Sequence, residues 1–400
     1  MLTLTTGCAY ENGTLESEGL ILLENRSGLE AARRIVVKVG TTTLTYPSGH
    51  LNLKHLDKLV RQITDLHNSG REVILVTSGA VGAGVGRLGL KNKPRTIPER
   101  QAVAAIGQGL LMQVYTKFFS EYGLTTAQIL LTREDMSNRR RYLNARNTLL
   151  MLVNEYRAIP VINENDTIAT EELQLRFGDN DTLASLVAGL VGADLLILLS
   201  DIKGLFTGDP RKDEKAKLIP EVKELSSSIW ATAGEAGTQR GTGGMITKLE
   251  AARIATRSGI MMVLASGEEP DVLTKIIEGE KIGTVFYPNS EALVQRERWI
   301  AFAGQPQGEV HIDSGAVTAL LKFKKSLLPS GITSVQGKFE VGDLIRVLDD
   351  SGKEIARGLS NFGSEEIEKI KGENTANLQT ILGYKTYEEV IHRNNMVCLE

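Results

Sequence analysis

The sequence predicts an α/β fold, an open and mostly parallel sheet sandwiched by helices, followed by a small β-rich C-terminal domain. Two observations carry this. From Arg34 onward, short β-branched apolar runs ending in Gly or polar residues alternate with longer amphipathic segments, the pattern of buried parallel strands and their crossover helices. After about residue 300 the texture changes to short strands broken by turns such as Leu328-Pro329-Ser330-Gly331 and Asp349-Asp350-Ser351-Gly352.

In order, the expected strands are Ile35 to Val39, Glu72 to Thr77, Thr126 to Leu131, Ile159 to Ile162, Asp194 to Leu199 and Ile260 to Leu264. The helical stretches between them fall near 53–68, 98–121, 139–155, 180–191 and 244–257. A sheet of this kind gathers ligands beyond the carboxyl ends of its strands. The segment from Gly304 to Gly308 reads as a linker. The expected division is a poorly ordered leader over 1–30, a catalytic domain over 31–302 and a small domain over 303–390.

A chain of 400 residues that is 42% hydrophobic and 24% charged can bury a full core. Its net charge of -3 and pI of about 6.1 give no general reason to expect nucleic-acid or membrane binding. Cys8 and Cys398 form neither a disulfide framework nor a zinc spacing, which suits a reducing cytosol. No apolar run approaches the roughly 18 residues that span a bilayer, and the acidic first 30 residues do not read as a signal peptide.

Five segments carry chemistry. In Val36-Val37-Lys38-Val39-Gly40-Thr41 a lysine interrupts a buried strand ahead of a glycine, so Lys38 needs an anion and the Gly40 amides can close on phosphate; an edge-strand lysine before a plain turn is the alternative. Val76 to Gly84 reads as a glycine-rich turn that lets a ligand approach the backbone. The formal dinucleotide fingerprint Gly84 to Gly89 is set aside, because it must open a helix and Pro94 and Pro98 leave little room for one.

Ile162-Asn163-Glu164-Asn165-Asp166 and Gly178-Asp179-Asn180-Asp181 place amides and carboxylates at a strand end and a helix start. Amides there can hold a carboxylate and Asp an ammonium, although capping by Asp179 or Asn180 needs only one such residue. Ser200 and Asp201 leave the next strand, where a plain loop is the simpler reading. Gly241 to Lys248 opens a helix with exposed amides suited to phosphate, against a flexible loop as the alternative. The five histidines are dispersed and no nucleophile elbow appears, so catalysis rests on lysines, glycines and carboxylates, an inventory that suits phosphoryl transfer.

Taken together and in this order, these segments resemble the amino acid kinase family over about residues 33–390. The loop wording is similar to members that phosphorylate the side-chain carboxylate of free glutamate with ATP, the first step of proline biosynthesis. Acetylglutamate kinases and aspartokinases share the fold but word the substrate loops differently. Gly308 to about Gly372 is similar to a PUA domain, and its nine basic and eleven acidic residues between Glu309 and Glu373 do not favour RNA binding.

The resemblance implies catalytic roles for Lys38, Lys248 and Asp181, and glutamate binding by Ser78, Asp166, Asn180 and Asp179. It implies ATP contacts from Lys38, Gly40, Ser200, Asp201, Thr242, Gly243, Gly244, Met245, Ile246, Thr247 and Lys248. It also implies Mg2+ carried by the ATP phosphates, a cytoplasmic homo-oligomer and proline as feedback inhibitor. Two features depart from the family, Ser200 where a threonine is expected and the leader. The rivals are another kinase of this fold and an RNA-binding sensor with a degenerate kinase domain.

Overall fold

The computed structural model describes residues 26–46, 48–169, 180–233, 244–288, 295–384 and 387–399. An eight-stranded sheet is built from β1 (Arg34–Val39), β2 (Glu72–Val76), β3 (Thr126–Leu131), β4 (Ile159–Glu164), β5 (Leu195–Ser200), β6 (Glu221–Val222), β7 (Met261–Ser266) and β8 (Thr284–Phe286). Their order across the sheet is β3-β4-β2-β1-β5-β7-β8-β6, and every pairing is parallel except β7 with β8. The chain reverses its direction of strand addition at β1, with β2 on one side and β5 on the other. A crevice for ligands opens at such a switch point.

The helices that matter for the site and its supporting layers are α1 (Leu53–Asn68), α2 (Ala80–Leu88), α3 (Ile97–Glu121), α4 (Arg139–Asn154), α5 (Asn180–Val191), α6 (Met245–Arg257) and α7 (Val272–Ile277). Local signals fix their starts. Thr96 and Glu99 close a capping box on α3 with Pro98 in the first turn, and Asn138 accepts from the amides of Arg140 and Arg141 at the head of α4. Two apolar layers flank the sheet. One joins α4, α5 and α6 to Val36, Ile74 and Leu196, while the other joins α1, α3 and α7 to Val37, Leu75 and Ile197. Successive strand residues alternate between the layers, so Lys38 shares the face of Val36 beneath α5 and α6.

A second sheet of five strands, ordered β10-β9-β11-β12-β13, comprises β9 (Gly308–Ile312), β10 (Ile332–Gly337), β11 (Leu344–Leu348), β12 (Glu354–Leu359) and β13 (Met396–Cys398). It closes on its own core, which includes Val310, Phe339, Ile345 and Phe362. Among the described residues no helix is long and apolar enough to cross a membrane.

Three expectations need correction. The glycine-rich stretch after Ser78 is the helix α2, and its glycines serve packing: a Cβ on Gly84 would lie 2.0 Å from the Val103 carbonyl oxygen. The dinucleotide match still fails to open a helix, because Gly84 to Leu88 lie inside one. Arg26 and Leu29, assigned to the leader, are buried; the Arg26 guanidinium donates to the carbonyls of Pro220, Glu280, Ile282 and Gly283. The supposed linker glycines Gly304 and Gly308 pack against Leu344 and Phe339.

Candidate active site

The carboxyl ends of β1, β2, β4 and β5 converge with the first turns of α5 and α6. Lys38 lies one residue from the end of β1, Asp181 in the first turn of α5 and Lys248 in the first turn of α6. All three are buried, at 6%, 1% and 6% exposure. Lys38 forms a close ion pair with Asp181 Oδ1, and Lys248 Nζ donates to Asp181 Oδ2 at 3.0 Å. Each carboxylate oxygen therefore holds one ammonium. Burial pushes the Asp181 carboxyl up, but the two lysines outweigh it and hold it below the usual range. The cluster retains a formal charge of +1 at the positive end of two helix dipoles, a place for a further anion.

A neutral cluster adjoins it. Asn180, the neighbour of Asp181, directs its Nδ2 to the Thr77 carbonyl oxygen at 2.6 Å, Asn163 Oδ1 at 2.8 Å and Ser78 Oγ at 2.9 Å. Asn163 Oδ1 also accepts from the Glu164 amide at 2.9 Å, and Asn163 Nδ2 donates to Gln108 Oε1 at 2.8 Å. Thr77 Oγ1 bonds the buried Tyr115 hydroxyl at 2.9 Å.

Beside this lie Glu164 and Asp166. Burial, reinforced by the Asp166 charge and opposed by Arg100, pushes the Glu164 carboxyl up to about 7. Burial also raises Asp166, with Arg100 opposing. Burial disfavours the charged form of both carboxyls, a strain that a cation beside them would relieve.

Of the expected ATP contacts, Gly40 follows β1 and donates its amide to the Leu199 carbonyl at 3.3 Å. Its missing side chain leaves the space beside Lys38 Nζ open. Ser200 ends β5 and donates from Oγ to Asp201 Oδ1 at 3.0 Å. Gly244 caps α6 without a side chain and is exposed, Met245 and Ile246 follow in the first turn, and Thr247 Oγ1 donates back to the Gly244 carbonyl. Asp179, Thr242 and Gly243 lie outside the described residues.

The geometry thus unites Lys38, Asp181 and Lys248 in one cluster and Ser78 with Asn180 in another, while Asp166 belongs with Glu164 and Arg100. Sequence reasoning passed over Gln108 and Tyr115 entirely, and named Asn163 and Glu164 only as motif letters. Gln108 had one signal, a polar side chain flanked by Gly107 and Gly109 within an apolar helix. Among the described residues no three His, Cys, Asp or Glu side chains group as a metal site. Asp181 is spanned by its two lysines.

The amino acid kinase family model matches residues 33–266 and the PUA domain model residues 308–382. The chain is 58% identical over 367 residues to a glutamate 5-kinase of Caldanaerobacter subterraneus subsp. tengcongensis, an alignment covering 92% of this chain and 98% of that one. A glutamate 5-kinase of Thermoanaerobacter sp. (strain X514) is 56% identical with the same coverage. One from Moorella thermoacetica is 52% identical over 94% of this chain and 99% of its own.

Proposed function

We infer that this chain, which belongs to the amino acid kinase family and within it to the glutamate 5-kinases, transfers the γ-phosphoryl group of Mg-ATP to the side-chain carboxylate of L-glutamate. The products are L-glutamyl 5-phosphate and ADP, and the reaction is the first step of proline biosynthesis. The observation that carries the reading is the buried pair of lysines sharing Asp181 at the head of two helices, next to a cluster of neutral amides.

The γ-carboxylate is deprotonated at pH 7 and attacks phosphorus without a general base. The obstacle is repulsion between two anions. Lys38 and Lys248 offset it, aimed at the charge that develops on the transferring group, and Asp181 keeps both ammonium groups oriented. Mg2+ enters with its nucleotide as substrate and neutralises phosphate charge. The space that Gly40 leaves open beside Lys38 and the segment from Thr242 to Lys248 receive the phosphates, with Ser200 and Asp201 toward the nucleoside. Ser78 and Asn180 hold glutamate, and Asp166 with Asp179 meets its ammonium. The family likeness extends the proposal to a cytoplasmic homo-oligomer inhibited by proline, which proline titration and sedimentation test.

The test is ADP release from Mg-ATP with glutamate, aspartate or N-acetylglutamate, with hydroxylamine present to trap an acyl phosphate. Hydroxamate formed from glutamate is the expected result. Turnover restricted to another acceptor overturns the substrate.

A further inference from the structure

We propose that Gln108 is a positioning residue that locks the substrate amides in the orientation two backbone groups set, so that Asn180 offers its ligand an oxygen, an acceptor for the ammonium of a free amino acid in addition to Asp166. The proposal rests on the glutamate kinase reading above. An Asn or Gln side chain has a donor end and an acceptor end, and which one faces a ligand depends on what the other end is tied to. Here two backbone groups settle it. The Thr77 carbonyl can only accept, so Asn180 turns its Nδ2 inward. The Glu164 amide can only donate, so Asn163 presents Oδ1 to it, and that same oxygen accepts from Asn180. Asn163 Nδ2 is thereby directed at Gln108, whose Oε1 accepts it.

The cost of this order falls on Gln108. Among the described residues its buried Nε2 has no hydrogen-bond partner. Flipping the amide would set Nε2 against Asn163 Nδ2, donor against donor, so the network's polarity overrides the residue's own satisfaction. With the Asn180 donors spent inward, its Oδ1 is the end left for substrate.

Packing brings Gln108 there. A Cβ on the preceding Gly107 would lie 1.8 Å from the Ala80 carbonyl oxygen, so only glycine lets α3 rest on the head of α2 directly after Ser78. Tyr115, two turns on, holds Thr77 from the same helix. One helix therefore secures both ends of the amide chain.

The test compares glutamate with glutarate, which lacks the ammonium, as substrate and as competitive inhibitor of the full-length enzyme. Wild type should bind glutarate about 100-fold more weakly, since a donor-requiring acceptor is left unpaired. Gln108→Met, close in volume but without an acceptor, should raise the glutamate KM roughly tenfold with kcat within about threefold. Its glutarate Ki should stay nearly fixed, so the discrimination shrinks. Gln108→Glu, protonated in this buried setting, keeps an oxygen for Asn163 and should restore most of the discrimination. Equal shifts for both ligands, or none, in Gln108→Met would overturn the proposal. If that variant does not fold, comparable wild-type affinities for glutarate and glutamate would do so. Wild-type inactivity toward glutamate would instead overturn the functional reading.

Discussion

Asn180 and Asp181 are adjacent in the chain, yet they head two sites of opposite character. Asp181 anchors a charged cluster of long side chains from β1 and α6, whereas Asn180 anchors a neutral chain of short amides tied to the backbone of β2 and β4. On the proposed function the charged half changes the energy of a developing anion, since buried charges act strongly on a reacting group placed beside them. The amide half cannot do that. What it offers is direction, since each of its bonds has a fixed donor and acceptor. The contrast teaches that neighbouring residues can rest on separate support; if turnover belongs to one and recognition to the other, as proposed, the two should fail separately.

The largest expected effect comes from Asp181→Asn, which removes the countercharge that Lys38 and Lys248 share. Breaking such a pair costs about 3–5 kcal/mol of stability, and kcat should drop about 1000-fold or more. Denaturant melts and steady-state assays read both, and a variant retaining wild-type kcat would break the division at its centre. Lys38→Ala removes one charge and should lower kcat about 100- to 1000-fold while leaving the glutamate KM within about threefold.

On the neutral side, Gly107→Ala forces α3 off α2. It should cost about 1–3 kcal/mol in a melt and raise the glutamate KM more than it lowers kcat.

The smallest effect concerns pH. Burial, with Asp166, lifts Glu164 in the folded protein to about 7 from an ordinary value of 4.5, so the native state binds the extra proton between these limits. Its contribution to stability is full below about 4.5 and declines as pH rises toward 7. A ligand ammonium favours the ionised form, so the glutamate KM should fall as pH rises through 7. Glu164→Gln should flatten both profiles, and profiles unchanged in that variant would place the ammonium elsewhere.

The charged half was legible in the sequence because charge is conspicuous where it is costly. A lysine inside an apolar strand needed an anion and the glycine-rich opening of α6 suited phosphate near Lys248, whereas Asp181 was named only through the family resemblance. The amide half was legible only in part. Asn180 and Ser78 sat in recognisable loops, but Gln108 comes from a helix some 55 positions away from Asn163 with no motif of its own.

The reading of residues 79–89 failed for a related reason. Glycine disfavours a helix intrinsically, and only the close crossing of α2 over α3, at Gly84 and Gly107, makes one worthwhile there. Strand and helix positions elsewhere followed from apolar periodicity, with α1 and α5 matching their expected bounds. Arg26 escaped notice because its partners, backbone carbonyls and the Glu221 carboxylate, lie more than 190 residues away and leave no local imprint on sequence.

The measurement that tests the division most directly is glutamate kinetics for Lys248→Ala and Asn163→Ala assayed side by side. The account predicts that Lys248→Ala loses kcat with KM nearly unchanged, and that Asn163→Ala raises KM with most of kcat retained. Loss of the same parameter in both variants would contradict it.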